Sequence, residues 1–164
     1  MFWAKTLLAA TAISLSTLHA EAYPSVGDKV SWTGEINRNG ETLGVKITKE
    51  ILSRDEQSHL WKIRIDASIG GENNSHIVET KDMYTPEKFK SIIADCVRNG
   101  GKLEKLKAPA GTYNTCKMST TLDDGTLIER WWGDIPFGVV SKITRDSGKL
   151  PISKPDLDSI IAGL

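Results

Sequence analysis

From Lys29 onward the chain alternates apolar and polar side chains, the two-residue period of a half-buried strand. Val30, Trp32 and Ile36 share one side of residues 29–36, and Asn37-Arg38-Asn39-Gly40 follows as a hairpin turn, because Asn-Gly tolerates positive φ. The alternation resumes over residues 42–52 through Leu43, Val45, Ile47 and Ile51. Residues 54–58 read as a polar turn. Residues 59–66 read as a third strand, with Trp61, Ile63 and Ile65 on one face and Lys62 and Arg64 on the other. Gly70-Gly71-Glu72-Asn73-Asn74 breaks the pattern before a fourth strand over residues 75–81. Further strands are expected over residues 102–108, 112–121, 126–132 and 139–144, with Asp123-Asp124-Gly125 as a turn between the second and third of these.

The period changes in two places. Thr85 suits a helix cap, Pro86 the first helical position and Glu87 the positive end of the dipole. Phe89, Ile92, Ile93, Cys96 and Val97 then form a single stripe, which Asn99-Gly100-Gly101 terminates. Behind Pro151 and Pro155, Leu157, Ile160, Ile161 and Leu164 also have helical spacing, so a short C-terminal helix is expected. The order ββββ–α–ββββ predicts an α+β fold, a curved antiparallel sheet of about seven to eight strands packed on one main helix.

The first residues have a different character. One lysine, Lys5, precedes an uncharged, mostly apolar run over residues 6–18, and Ala20-Glu21-Ala22 supplies the small residues that signal peptidase needs. The run is shorter than the roughly 20 apolar residues of a spanning helix. Residues 1–22 therefore read as a cleaved signal peptide. Residues 23–164 read as one globular β-rich domain, without a transmembrane helix, in the periplasm or outside the cell. Export places Cys96 and Cys116 in an oxidising compartment, where an even count favours a disulfide. Such a bridge would staple the helix's last turn to the strand over residues 112–121 and turn the helix toward the sheet.

Charge narrows the function classes. The 164 residues carry 21 basic and 21 acidic side chains, which leaves no net charge for a nucleic-acid backbone or an acidic membrane surface. His59 and His76 lie in separate expected strands with no acid at a metal-binding spacing. There is no HExxH, no GxSxG and no Gly-rich phosphate loop, so no catalytic residue, metal or cofactor is assigned. An enzyme with an unrecognised site would have to draw on Glu104, Asp134, His59 and His76. Asp123-Asp124-Gly125 with Glu129 lacks the alternating oxygens of a calcium loop, and Asn73-Asn74-Ser75 reads as a polar turn. Trp131-Trp132 is more informative. Adjacent strand residues face opposite ways, so one indole should enter the core, and the outward one beside Phe137 would offer a partner surface. Trp32, Val45, Ile47, Trp61, Ile63 and Ile65 line either a ligand-holding concave face or an ordinary core.

Over roughly the last third of the chain, Cys96…Gly100-Gly101…Glu104…Pro109-Ala110-Gly111-Thr112-Tyr113…Cys116…Trp131-Trp132…Pro136-Phe137-Gly138 resembles a C…GG…E…PAGT[FY]..C…W…PFG pattern of exported bacterial β-rich proteins. Their more distant likeness is to the periplasmic lipoprotein-carrier fold, a half-barrel that cups a helix and holds acyl chains on its concave face. The pattern carries no assigned chemistry, and its Pro and Gly positions read as turn devices. The resulting expectation is a non-enzymatic periplasmic or secreted protein for binding or envelope maintenance, with a lipid-like ligand or an envelope protein as partner. The alternative is a protein-interaction module that uses the outward aromatic patch.

Overall fold

The computed structural model describes residues 23–38 and 40–145 with their side chains, and residues 151–161 as backbone. The expected leader and Leu164 lie outside the described residues. Strands β1 (Lys29–Arg38), β2 (Glu41–Asp55), β3 (Leu60–Ile69) and β4 (Glu72–Thr80) form an antiparallel meander. Helix α1 (Pro86–Asp95) follows. Strands β5 (Lys102–Ala108), β6 (Gly111–Thr121), β7 (Leu127–Trp132) and β8 (Val139–Arg145) form a second meander. Strand β9 (Pro151–Ile161) lies antiparallel to both β1 and β8, so the two meanders join in the order β4-β3-β2-β1-β9-β8-β7-β6-β5.

The described residues are mostly β with one short helix, which corrects the expected α+β fold, a sheet packed on a main helix, in two respects. First, α1 does form where its cap and stripe place it, and Thr85 Oγ1 accepts the Lys88 N–H at 3.2 Å. Yet none of its residues is buried, and Val97 beyond it is 69% exposed. Ten residues make a rod about 15 Å long, against an arc of nine strands that measures about 40 Å. The helix is too short to cover the sheet, and the Cys96–Cys116 disulfide ties its C-terminal end to β6. Second, the expected C-terminal helix is β9. Without it, β1 and β8 would each present an unpaired row of backbone groups, and pairing with both edges outweighs the weak helical spacing of so short a tail.

The core is built from the faces that alternation marks, together with loop residues that alternation does not mark. Val30 and Trp32 of β1 pack with Ala108, Trp131, Ile135, Val140 and Ile143, which unites the two meanders. A second cluster joins Ile51 and Ile63 under Met83, from the segment that leads into α1. Phe137 packs against both. The sheet curls enough for β5 to touch β8 and β9, and for the Trp32 indole N–H to donate to the Val139 carbonyl at 2.7 Å.

The disulfide spans 20 residues of sequence, which by loop-closure entropy contributes on the order of 3 kcal/mol. Cys96→Ser is expected to lower stability by about 2–4 kcal/mol in chemical denaturation under oxidising conditions. Equal midpoints for the oxidised wild type and the variant would contradict the bridge.

Candidate functional site

Register and alternation place Trp32 of β1, Val45, Ile47, Lys49 and Ile51 of β2, Trp61, Ile63 and Ile65 of β3 and Val78 of β4 on one inner face. Met83 and Phe137 cover part of it, and there Ile51 and Ile63 are buried. Ile47, Trp61, Ile65 and Val78 remain half-buried, because the helix that would have roofed them lies elsewhere. The Arg54 guanidinium rests 5.1 Å from the centroid of the Trp61 ring.

One cation interrupts this apolar stripe. Lys49 Nζ lies 6.0 Å from the centroid of the Trp32 ring and 5.7 Å from that of Phe137, at the outer limit of cation–π attraction. On the same side of the sheet, Arg130 of β7 stands directly opposite Lys142 of β8, and both are half-buried. Among the described residues, Lys49, Arg130 and Lys142 make no ion pair. Burial, and then the Lys142 charge, push the Lys49 ammonium below the ordinary lysine range. Burial, and then Arg130, do the same to Lys142.

Buried charge on the opposite face of β7 is treated differently. Glu129, 7% exposed, is held by both Lys117 and Arg145. Glu104 Oε1 accepts the Trp131 indole N–H at 2.5 Å, and that bond, followed by Lys102, holds its carboxyl below the usual range. Both of these carboxylates are paired. The three cations of the inner face are not.

The sequence-marked aromatics are placed as follows. Trp131 is buried, with Lys117 Nζ 4.9 Å from its ring centroid. Trp132 turns to the other face but is covered. It stacks on Tyr84 at 5.8 Å, and Tyr84 stacks on Tyr23 at 6.2 Å. The Tyr23 hydroxyl donates to Asp134 Oδ1 at 2.5 Å, and burial, followed by that carboxylate, raises its pKa. Phe137 is half-buried at φ 64, next to Gly138 at φ 76, where a Cβ would stand 2.6 Å from the Tyr84 ring. Among the described residues the exposed large apolar side chains are Val26, Ile77, Val97, Leu103 and Leu122, and none of these is aromatic.

The structure keeps the four residues of the enzyme alternative apart. His59 sits exposed at φ 56 in the turn before β3, where a strand residue was expected. His76 is exposed on the edge strand β4, Glu104 lies on β5 at the other end of the sheet, and Asp134 lies in the β7–β8 loop. Two open grooves of about 400 Å³ lie away from the inner face. In the first, the only carboxylate, Asp66, is already engaged by Ser75 Oγ at 2.5 Å and Arg64 Nε at 3.4 Å. The second lies between α1 and the β5–β6 hairpin, beside Ile93, Leu103 and Asn114.

No protein-family model matches the chain, and no curated protein matches it. A crystal structure of a Bacteroides fragilis protein, described as exported and of YmcC-like fold, is similar over 84% of this chain and 96% of that one, with a TM-score of 0.51 and 9% identity. The likeness is one of fold. It shows neither the PAGT-to-PFG pattern nor a lipoprotein-carrier likeness.

Lys49, Arg130 and Lys142 are the residues that reading the sequence missed, although a signal was present. Lys49 falls in step with Val45, Ile47 and Ile51, and Arg130 with Ile128 and Trp132, so each puts a charge on an apolar stripe. Lys49→Met is expected to raise stability by up to about 1 kcal/mol, or about 3 °C in Tm, because a partly desolvated charge without a carboxylate partner is removed. The folded chain releases the Lys49 proton at lower pH than the unfolded chain does. The charge's penalty therefore fades as pH rises from the depressed value toward 10.5, and the gap between variant and wild type narrows over that window. A variant that melts below the wild type at pH 7, or a gap that does not change with pH, would contradict this placement.

Proposed function

We propose that this chain is a non-enzymatic exported protein that holds an apolar, lipid-like ligand against the inner face of its first meander. The observation that carries the reading is the uncovered part of that face. Ile47, Trp61, Ile65 and Val78 stay half-buried beside a filled core, and α1 does not roof them. A contiguous apolar surface left partly open, rimmed by a few polar groups, is the usual form of a small-molecule site. Export is supported by the leader-like pattern of residues 1–22 and by the description of the similar Bacteroides fragilis protein as exported. Among the described residues, no helix is long and apolar enough to cross a membrane. The interaction-module alternative has less support, since Trp132 is covered by Tyr84 and Trp131 is buried.

The test is native mass spectrometry of the protein purified from its own envelope, with an organic extract analysed in parallel. A co-purifying lipid-sized mass, weakened in an Ile65→Asn variant that retains its circular dichroism, is the expected result. A clean mass of the chain alone, with an empty extract, would overturn the reading.

A further inference from the structure

We infer that the ligand of the inner face is an anionic amphiphile, a single apolar chain with a carboxylate or phosphate head, whose head is received by Lys49, Lys142 and Arg130. The inference rests on the apolar-ligand reading above and adds the chemistry of the head. Three observations on geometry support it. Arg130 and Lys142 are direct cross-strand partners on one face, an arrangement of like charges that costs stability and that an anion between them would reverse. Lys49 projects from the apolar stripe toward Trp32 and Phe137, so its ammonium stands against the apolar surface between Ile47 and Ile51. Among the described residues no carboxylate neutralises any of the three, whereas Glu129 and Glu104, on the other face, are fully engaged.

The mutual influence of the three cations agrees with this placement. Lys142 adds to the lowering of the Lys49 pKa, and Arg130 to that of Lys142, each after burial, which agrees with their lying on one side of the sheet. Charge complementarity then selects the occupant. The aliphatic and aromatic wall of Ile47, Ile65 and Trp61 takes a chain, and the cations take a negative head through charge-assisted hydrogen bonds. A neutral lipid would leave the cation cluster uncompensated, and a small anion alone would leave the apolar wall uncovered.

Titration of decanoate, decyl phosphate, 1-decanol and inorganic phosphate into the purified protein, read by tryptophan fluorescence, separates head from chain. Both decyl anions are expected to bind at least about tenfold more tightly than decanol, the worth of one charge-assisted hydrogen bond. Lys49→Gln and Lys142→Gln variants that retain their circular dichroism are expected to lose that preference. Equal affinity for the anions and decanol would overturn the inference and leave the apolar-ligand reading standing. A preference that survives both substitutions would overturn it too, because the head would then lie elsewhere. Inorganic phosphate binding as tightly as decyl phosphate would show that the chain contributes nothing and overturn both readings, as would the absence of binding by any probe.

Discussion

The double pairing of β9 is the constraint on which the rest of the architecture depends. Two four-stranded meanders, each a run of local hairpins, would separately present β1 and β8 as open edges. By bonding to β1 on one side and β8 on the other, β9 satisfies both edges and makes one sheet of nine strands. It also brings Trp32 of the first meander within 2.7 Å of the Val139 carbonyl of the second, and so permits a shared core from Val30 to Ile143. The edges left over are β4 and β5. The latter carries Lys102, Lys105 and Lys107, a common protection against edge-to-edge association.

Once β9 joins the two meanders into one sheet, the helix is no longer needed as a core element. It becomes a short connector, capped by Thr85 and stapled at Cys96. The inner face of the first meander is filled only as far as Met83 and Phe137 reach. This leaves an apolar wall whose charged members, unlike Glu129 and Glu104, have no structural partner among the described residues. Among the described residues Glu129 is ion-paired and these three cations are not, and charge left unpaired gives up some stability, as binding sites commonly do.

Much of this was legible in the residues, because strand alternation and hairpin turns are local. Val30–Trp32, Val45–Ile51 and Trp61–Ile65 declare both their strands and their shared face, and Thr85-Pro86-Glu87 declares the start of α1. The tail was not legible. The spacing of Leu157, Ile160 and Ile161 suits a helix, and only the presence of two unpaired edges, a property of the assembled sheet, makes it a strand. The same holds for Trp132. Its neighbour Trp131 fixes the face toward which it turns, but the cover comes from Tyr23 and Tyr84, distant in sequence. Lys49 was legible in principle, as a charge in step with an apolar stripe. Its significance depends on which neighbours the curled sheet brings to it, and that is a tertiary fact.

The measurement that tests the central claim most directly is a map of backbone and indole NMR shifts upon addition of decyl phosphate to the isotopically labelled protein. The account expects the largest changes at the amides of Ile47, Lys49, Ile65 and Lys142 and at the Trp32 indole, with β4's outer face and the groove beside Asp66 undisturbed. Shifts confined to that groove, to the Tyr23–Tyr84–Trp132 stack or to the space beneath α1 would contradict it.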